Sequence, residues 1–233
     1  MRNHIVILGG MGPQASTKLH ELLIAKSADF IAGAPDEFPA ILHASMQIPD
    51  FISNKANEVL AIDIIKDTMQ MMNIAQAESI ALACNTAHQL TENLGLNRPN
   101  FVSMIDAVCD EIMASGVKRV GLLASPNTVR SQLYEIPLAA RGIEVITPDD
   151  SELKTLETVI RTVISGRTND SLGQTLDRLA FSLIERGAKA VLLGCTELPL
   201  IGLSPSVKSF DSLNALADAL LKRHFVIQQQ TNL

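Results

Sequence analysis

The sequence predicts an α/β fold of two similar parallel-sheet domains, related by pseudo-two-fold symmetry, with a site in the cleft between them. Two observations lead to this class. Short apolar runs alternate with longer helical stretches along the whole chain, which is typical of parallel sheets crossed by helices. Three segments of the first half also recur in the second half in the same order. At about 100–200 residues per domain, 233 residues allow two small domains.

The predicted elements follow from this alternation. Strands are expected at Ile5–Leu8, Ala40–Ala44, Ser79–Ala83, Phe101–Met104, Val120–Ala124, Glu144–Ile146, Ala190–Leu193 and Lys208–Phe210. Helices are expected at Ser16–Phe30, Glu58–Ile74, Ala107–Ala114, Glu152–Ile164, Leu172–Arg186 and Leu213–His224. Gly116 and Gly187 stand a few residues before two of the strands, where a glycine is expected to end the preceding helix.

The internal repeat indicates where the two domains divide. Gly9 and Ala124, which follow apolar strands before small-residue loops, are 115 residues apart. Cys84 and Cys195 are 111 residues apart. The Pro-Asp pairs that end at residues 50 and 149 are 99 residues apart. We therefore expect one domain over residues 1–104 plus 212–233 and another over residues 105–211.

Composition excludes several kinds of partner. A formal net charge of −6 argues against nucleic acid and acidic membrane surfaces, and 3% aromatic residues leave little for base stacking. No apolar run approaches the roughly 20 residues that a membrane helix needs, and the start of the chain does not resemble a signal peptide. Three cysteines without zinc-like spacing predict reduced thiols, not a disulfide framework. A cytoplasmic protein that binds a small molecule is expected.

Cys84 and Cys195 are the candidate catalytic residues. Each follows an apolar strand, and ligands of parallel α/β units bind at the carboxyl ends of strands. Two thiols on opposite sides of a carbon atom can remove a proton from one face and deliver one to the other, which inverts a stereocentre. We expect a helix to begin after each cysteine, lower its pKa and offer backbone amides to a carboxylate. Cys109 has no counterpart and is expected to be a packing residue.

Three other features each have two possible interpretations. The loop Gly9–Thr17 is either a tight turn or a site where the backbone at Met11 and Gly12 approaches a carboxylate. His88 either caps a helix turn or tunes Cys84. Glu197 is either a solvated acid or a group that orients a thiol. No lysine stands in the context of a pyridoxal Schiff base, and no cluster suggests a metal, so no cofactor is expected.

Three segments resemble the signatures of aspartate racemases within the aspartate/glutamate/hydantoin racemase superfamily: Gly9–Pro13, Ala83–His88 and Gly194–Leu200. The resemblance covers residues 5 to 225. It implies two facing α/β domains, a homodimer, no cofactor and paired catalytic cysteines. It also implies that Asn85, Thr86 and Thr196 hold the substrate α-carboxylate, with help from Thr128.

One departure bears on the substrate. Acid-specific members of the family carry an arginine directly after an Ile-Pro-Asp segment, where this chain has Phe51. They also carry a lysine shortly before a glycine further on, where this chain has Ile164–Arg167, so Arg167 is the candidate replacement. An acidic amino acid remains the leading substrate. The alternatives are maleate isomerisation or decarboxylation within the superfamily, and a non-catalytic amino-acid-binding protein.

Overall fold

The computed structural model describes residues 4–51 and 55–231, which form two four-stranded parallel sheets. The strands are β1 (His4–Gly9), β2 (Ala40–Ser45), β3 (Ser79–Leu82), β4 (Phe101–Val102), β5 (Arg119–Leu123), β6 (Glu144–Ile146), β7 (Ala190–Leu193) and β8 (Ser209–Asp211). The α-helices are α1 (Pro13–Ser27), α2 (Glu58–Met71), α3 (Met104–Ala114), α4 (Pro126–Arg130), α5 (Glu135–Ala140), α6 (Asp150–Ile164), α7 (Asp170–Glu185) and α8 (Ser212–Thr231). The predicted class, two parallel-sheet α/β units, is confirmed.

The two sheets share one topology. Their strand orders are β2-β1-β3-β4 and β6-β5-β7-β8, so β3 and β7 hold equivalent places. In each sheet the first strand of the unit lies between the second and third strands of that unit. The repeat seen in the sequence is therefore a repeat of structure.

The chain divides into two compact units. One runs to Met104 and resumes at Leu213, and the other is Ile105–Ser212. In the first unit Ile5 and Ile7 of β1 pack with α1 and α8, whereas Val6 and Leu8 pack with α2. This alternation follows from the two-residue period of a strand and explains why β1 is apolar at every position between His4 and Gly9.

The second unit packs α6 and α7 against one face of its sheet. Leu156, Val159 and Leu183 join Val191 and Leu193 of β7 in one buried cluster. Gly121 lets α7 approach β5, since a Cβ at that position would lie 2.8 Å from the Cβ of Leu183. No helix within the described ranges has both the length and the apolar character required to cross a membrane.

The element predictions agree with the structure in kind and differ at some ends. All eight strands are present, and those at Glu144–Ile146 and Ala190–Leu193 have the predicted bounds. The run predicted to extend to Met104 ends at Val102, because Met104 already begins α3. Helices α4 and α5 were not predicted. Gly116 and Gly187 have positive φ after α3 and α7, as the helix-end prediction requires.

Candidate functional site

Cys84 and Cys195 occupy equivalent positions in their own units. Each lies two residues beyond the end of the third strand of its unit. The residue before each cysteine continues the sheet ladder: Ala83 N–H donates to Leu8 O at 2.9 Å, and Gly194 N–H donates to Leu123 O at 2.8 Å. Each thiol is therefore fixed at the carboxyl edge of its sheet by the same hydrogen bond, and both cysteines are buried.

The expected α-helices after the cysteines are absent. The structure has short 3-10 helices there instead, Thr86–Leu90 and Leu198–Leu200. Their N-caps, Asn85 and Glu197, have helical backbone angles and make no capping hydrogen bond with their side chains. A cap residue normally needs an extended backbone to turn its side chain onto the first amides. The prediction that an α-helix dipole lowers the pKa of each cysteine is therefore wrong, because these segments are too short to align many peptide groups.

The glycine loop after β1 is shaped by steric contact. Gly10 has φ of +100°, and a Cβ there would lie 2.0 Å from the carbonyl oxygen of Met46. Gly12 is the N-cap of α1, with Pro13 following it as the first helical residue. Met11 is buried in one apolar cluster with Cys84 and Phe51. These contacts agree with the interpretation of the loop as a tight turn. Contact of Met11 and Gly12 with a substrate carboxylate stays a prediction.

His88 contacts the backbone of the Cys84 segment. Its Nε2 accepts a hydrogen bond from the N–H of Met104 at 3.1 Å, so Nδ1 must carry the proton of a neutral ring. Nδ1 lies 2.8 Å from the carbonyl oxygen of Cys84 and donates to it. His88 is therefore tied into the structure through two backbone groups, as the capping interpretation expects.

Glu197 contacts the thiol of Cys195 directly. Cys195 Sγ lies 3.1 Å from Glu197 Oε2, and Thr196 Oγ1 donates to the same oxygen at 3.0 Å. Only 3% of Glu197 is exposed, so the solvated-acid interpretation is wrong. Burial raises the pKa of Glu197, and the hydrogen bonds from Cys195 and Thr196 partly oppose that rise. A buried carboxyl that accepts from a thiol holds the sulfur in one orientation.

We expect Glu197→Gln to become more stable relative to the original protein as the pH rises. A carboxyl whose pKa is raised by folding contributes its stability below the ordinary pKa of 4.5 and loses it as the pH rises through the folded pKa. Glutamine has no such titration. Urea unfolding at several pH values above about 4.5 measures the difference.

Glu185→Gln is the matched control, since Glu185 is an exposed acid in the same unit. Its difference in unfolding free energy should vary less with pH than that of Glu197→Gln. Equal pH dependence of the two variants would mean that burial of Glu197 has no effect on its protonation.

The loop after β5 contains a capped helix that the sequence interpretation did not predict. Ser125 is the N-cap of α4, and its Oγ accepts from the N–H of Thr128 at 3.3 Å. The two hydroxyl oxygens lie 3.0 Å apart, and Thr128 is fully buried. Serine followed by Pro126 is a signal for the start of a helix and was the available clue to Ser125. Thr128 lies beyond the end of β5, the neighbour of β7.

The residues linked with substrate choice have contrasting environments. Phe51 is buried, whereas Arg167 is exposed in the turn after α6. Asn85, Thr86 and Thr196, which flank the cysteines in sequence, are also buried.

Cys109 is fully buried in α3, and burial raises its pKa to about 12, consistent with a packing role. The described residues contain no group of three or more His, Cys, Asp or Glu side chains arranged to hold a metal ion.

Comparison with known proteins places this architecture in a family. The model of the Asp/Glu/Hydantoin racemase family matches residues 8–220. A crystal structure of an aspartate racemase homologue from Pyrococcus horikoshii has 29% identity and a TM-score of 0.76, covering 96% of this chain and 99% of that chain. An aspartate racemase from Picrophilus torridus has 28% identity and a TM-score of 0.81, covering 95% and 94%.

A curated relative extends the comparison. The glutamate racemase of Roseobacter denitrificans is 30% identical over an alignment of 177 positions, and the match covers 62% of this chain and 62% of that protein. The alignment thus spans less than two thirds of that relative. Because the family model covers most of the chain and the sheets repeat one topology, the chain belongs to the Asp/Glu/Hydantoin racemase family.

Proposed function

We propose that this protein is a cofactor-independent amino-acid racemase that uses Cys84 and Cys195 as its two acid–base groups. The observation that carries the proposal is the equivalent placement of the two thiols, each two residues beyond the third strand of its unit. Membership of a racemase family supports the same reaction. The third free cysteine among the described residues, Cys109, lies inside α3 and not at the end of a strand.

The proposed chemistry removes the α-proton with one thiolate and returns a proton from the opposite thiol. The ordinary pKa of cysteine is about 8.5, near enough to neutrality for both protonation states to be used. After one turnover the two residues have exchanged protonation states, which prepares the enzyme for the reverse reaction. While Cys195 carries its proton, Glu197 accepts from its Sγ and keeps that sulfur oriented.

We propose that Asn85, Thr86, Thr196 and Thr128 bind the substrate α-carboxylate, with backbone amides at Met11 and Gly12 nearby. Hydroxyl and amide groups donate hydrogen bonds to a carboxylate without adding a charge that would quench the thiolate. All four side chains belong to segments that follow β3, β5 or β7, the strands whose carboxyl ends carry the cysteine segments or lie next to them.

We propose an acidic amino acid, aspartate or glutamate, as substrate. Relatives named aspartate racemase and glutamate racemase support this class. Phe51 cannot pair with a second carboxylate, so the proposal assigns that pairing to Arg167, whose exposed position leaves its guanidinium accessible. A buried carboxylate without a cationic partner is strongly disfavoured.

Arg167→Ala should raise the Michaelis constant for aspartate or glutamate by about 10- to 150-fold, the equivalent of one charge-assisted hydrogen bond. The Michaelis constant for a neutral amino acid should not change. Arg161→Ala, at an exposed arginine in the preceding helix α6, is the control. Steady-state kinetics with single enantiomers measures both constants. Efficient aspartate turnover that is indifferent to Arg167→Ala would contradict this assignment.

The reaction itself is tested by incubating purified protein with single enantiomers of aspartate, glutamate and several neutral amino acids. Chiral chromatography should show conversion of one acidic enantiomer to the other, until both are present in equal amounts. Loss of total amino acid without appearance of the opposite enantiomer would contradict racemisation and indicate a different reaction of the superfamily.

A further inference from the structure

The chain passes between the two units at two points, and both lie at the start of a helix. Met104 is the first residue of α3 and the last residue of the first unit before the chain continues as Ile105. Ser212 is the first residue of α8 and the last residue of the second unit. Both residues are fully buried. We call these two residues the exit residues.

The first exit residue is connected to Cys84 through one side chain. Met104 N–H donates to His88 Nε2 at 3.1 Å, and His88 Nδ1–H donates to the carbonyl oxygen of Cys84 at 2.8 Å. The imidazole thus bridges two backbone groups that are 20 residues apart in the chain. Its ring also lies 5.7 Å, between centroids, from that of Phe101 in β4, which helps to hold its orientation.

The second exit residue is connected to the Cys195 segment by its own hydroxyl. Ser212 Oγ donates to the carbonyl oxygen of Leu193 at 3.0 Å, two residues before Cys195. Tyr134, which is fully buried, forms a side-chain hydrogen bond with Ser212.

The Tyr134 ring extends this connection to Gly194. A Cβ on Gly194 would lie 2.9 Å from Tyr134 Cε2 and 2.8 Å from Leu122 Cδ1, so the ring packs against the peptide just before the cysteine. Burial raises the pKa of Tyr134, and the charges of Cys109 and, to a smaller extent, Cys195 add to that rise. The backbone that carries the second thiol is therefore held from one side by a buried tyrosine and a buried serine.

We propose that His88 and Ser212 are positioning residues, each fixing one cysteine segment to the point where the chain leaves that unit. The matched design carries the inference: in both units a buried side chain joins an exit residue to a carbonyl within two residues of the thiol. The Cys84 carbonyl belongs to the same residue as the thiol, so holding it restricts the ψ rotation of Cys84. The Leu193 carbonyl belongs to the peptide that leads into Gly194, so holding it restricts the backbone path into Cys195. The part of this proposal that concerns catalysis rests on the proposed function of the cysteines.

The test measures the reactivity of each thiol separately. Folded protein is treated with iodoacetamide, and mass spectrometry of peptides gives the alkylation rate of Cys84, Cys195 and Cys109. The variants are His88→Phe, which removes both hydrogen bonds, and His88→Asn, which keeps a donor near the Cys84 carbonyl. Ser212→Ala and Tyr134→Phe are the variants of the second unit. Ser27→Ala is the matched control, because Ser27 Oγ also donates a buried hydrogen bond to a leucine carbonyl, that of Leu23 at the end of α1.

Ser212→Ala should change the rate at Cys195 by roughly threefold to tenfold, the effect of one net hydrogen bond, with Cys84 unchanged. Tyr134→Phe should have a smaller effect on the same thiol. His88→Phe should change Cys84 alone, and His88→Asn should restore most of the original rate. The rate at buried Cys109 reports global opening and should stay constant in the His88, Ser212 and Ser27 variants. In Ser27→Ala the rates at Cys84 and Cys195 should not change.

The proposal would be overturned if His88→Phe or Ser212→Ala changed the alkylation rates of Cys84 and Cys195 equally. It would also be overturned if His88→Phe left the rate at Cys84 unchanged, or if Ser212→Ala left the rate at Cys195 unchanged. A change that Ser27→Ala reproduces would overturn it as well. Because alkylation reads the thiols directly, this result stands whether or not the protein racemises any amino acid. Failure of racemisation with thiol-specific changes intact would therefore count against the proposed function alone.

Discussion

Replacing Cys84 or Cys195 by serine is expected to lower the rate of racemisation by about 10²- to 10⁴-fold, the range typical of losing one acid–base group. A serine hydroxyl is close in size to the thiol but is a far weaker acid, so it cannot provide the deprotonated form near neutral pH. Both cysteines lie in loops fixed by backbone hydrogen bonds from Ala83 and Gly194, which serine leaves in place. The free energy of unfolding, measured with urea, should therefore change little in either variant.

Cys109→Ser provides the control for this comparison. Cys109 is buried in α3, and its raised pKa of about 12 keeps the thiol protonated. Turnover should remain within about twofold of the original, since Cys109 lies inside α3 and is not one of the residues proposed to react. Near-normal turnover in folded Cys84→Ser or Cys195→Ser would remove that residue from the mechanism.

Gly10→Ala is expected to destabilise the protein by at least about 3 kcal/mol, with loss of activity at the same time. Gly10 has φ of +100°, which strains any L side chain, and its added Cβ would lie 2.0 Å from the Met46 carbonyl oxygen. That contact is to backbone, so no side-chain rotation relieves it. The Met46 N–H is also bonded to Gly9 O at 3.1 Å, which limits movement of the neighbouring segment. Urea unfolding measures the effect.

Gly33→Ala separates backbone strain from collision. Gly33 has nearly the same φ, +106°, but no atom lies within 4 Å of its added Cβ. The strain alone should reduce stability by about 1–2 kcal/mol. The difference between the two variants then measures the contact of the glycine loop with Met46. Similar losses for Gly10→Ala and Gly33→Ala would show that the loop can move away from Met46.

The fold was largely predictable because its signals are local. Buried strands such as Ala190–Leu193 are continuous apolar runs, and α6 begins with a capping box in which Asp149 and Glu152 satisfy each other's backbone amides. Helices α4 and α5 were harder to predict, because each is one or two turns long and too short for a 3.6-residue pattern to repeat. The turns after the cysteines were mistaken for α-helix starts because Asn85 and Thr86 are common at caps.

The candidate site was predictable only in part. The internal repeat pairs Cys84 with Cys195, and proximity along the chain suggested His88 and Glu197. The partners of these residues are set by tertiary structure: Met104 lies 16 residues beyond His88, and Ser212 lies 19 residues beyond Leu193. Nothing in the local sequence indicates that Tyr134 packs against Gly194. Glu197 is likewise buried by residues that pack around β7. The local sequence around a charged residue does not indicate such burial.

The most direct test of the two-thiol account is racemisation of L-aspartate in deuterated water, followed by NMR at the α-position during the first part of the reaction. In a two-thiol mechanism the thiolate that takes the substrate's proton is not the thiol that supplies the product's, and the supplying thiol has already exchanged its proton for deuterium. The account predicts that newly formed D-aspartate carries deuterium while unreacted L-aspartate still carries its original proton. Deuterium entering unreacted L-aspartate as fast as the product, or D-aspartate that retains the substrate's proton, would contradict it.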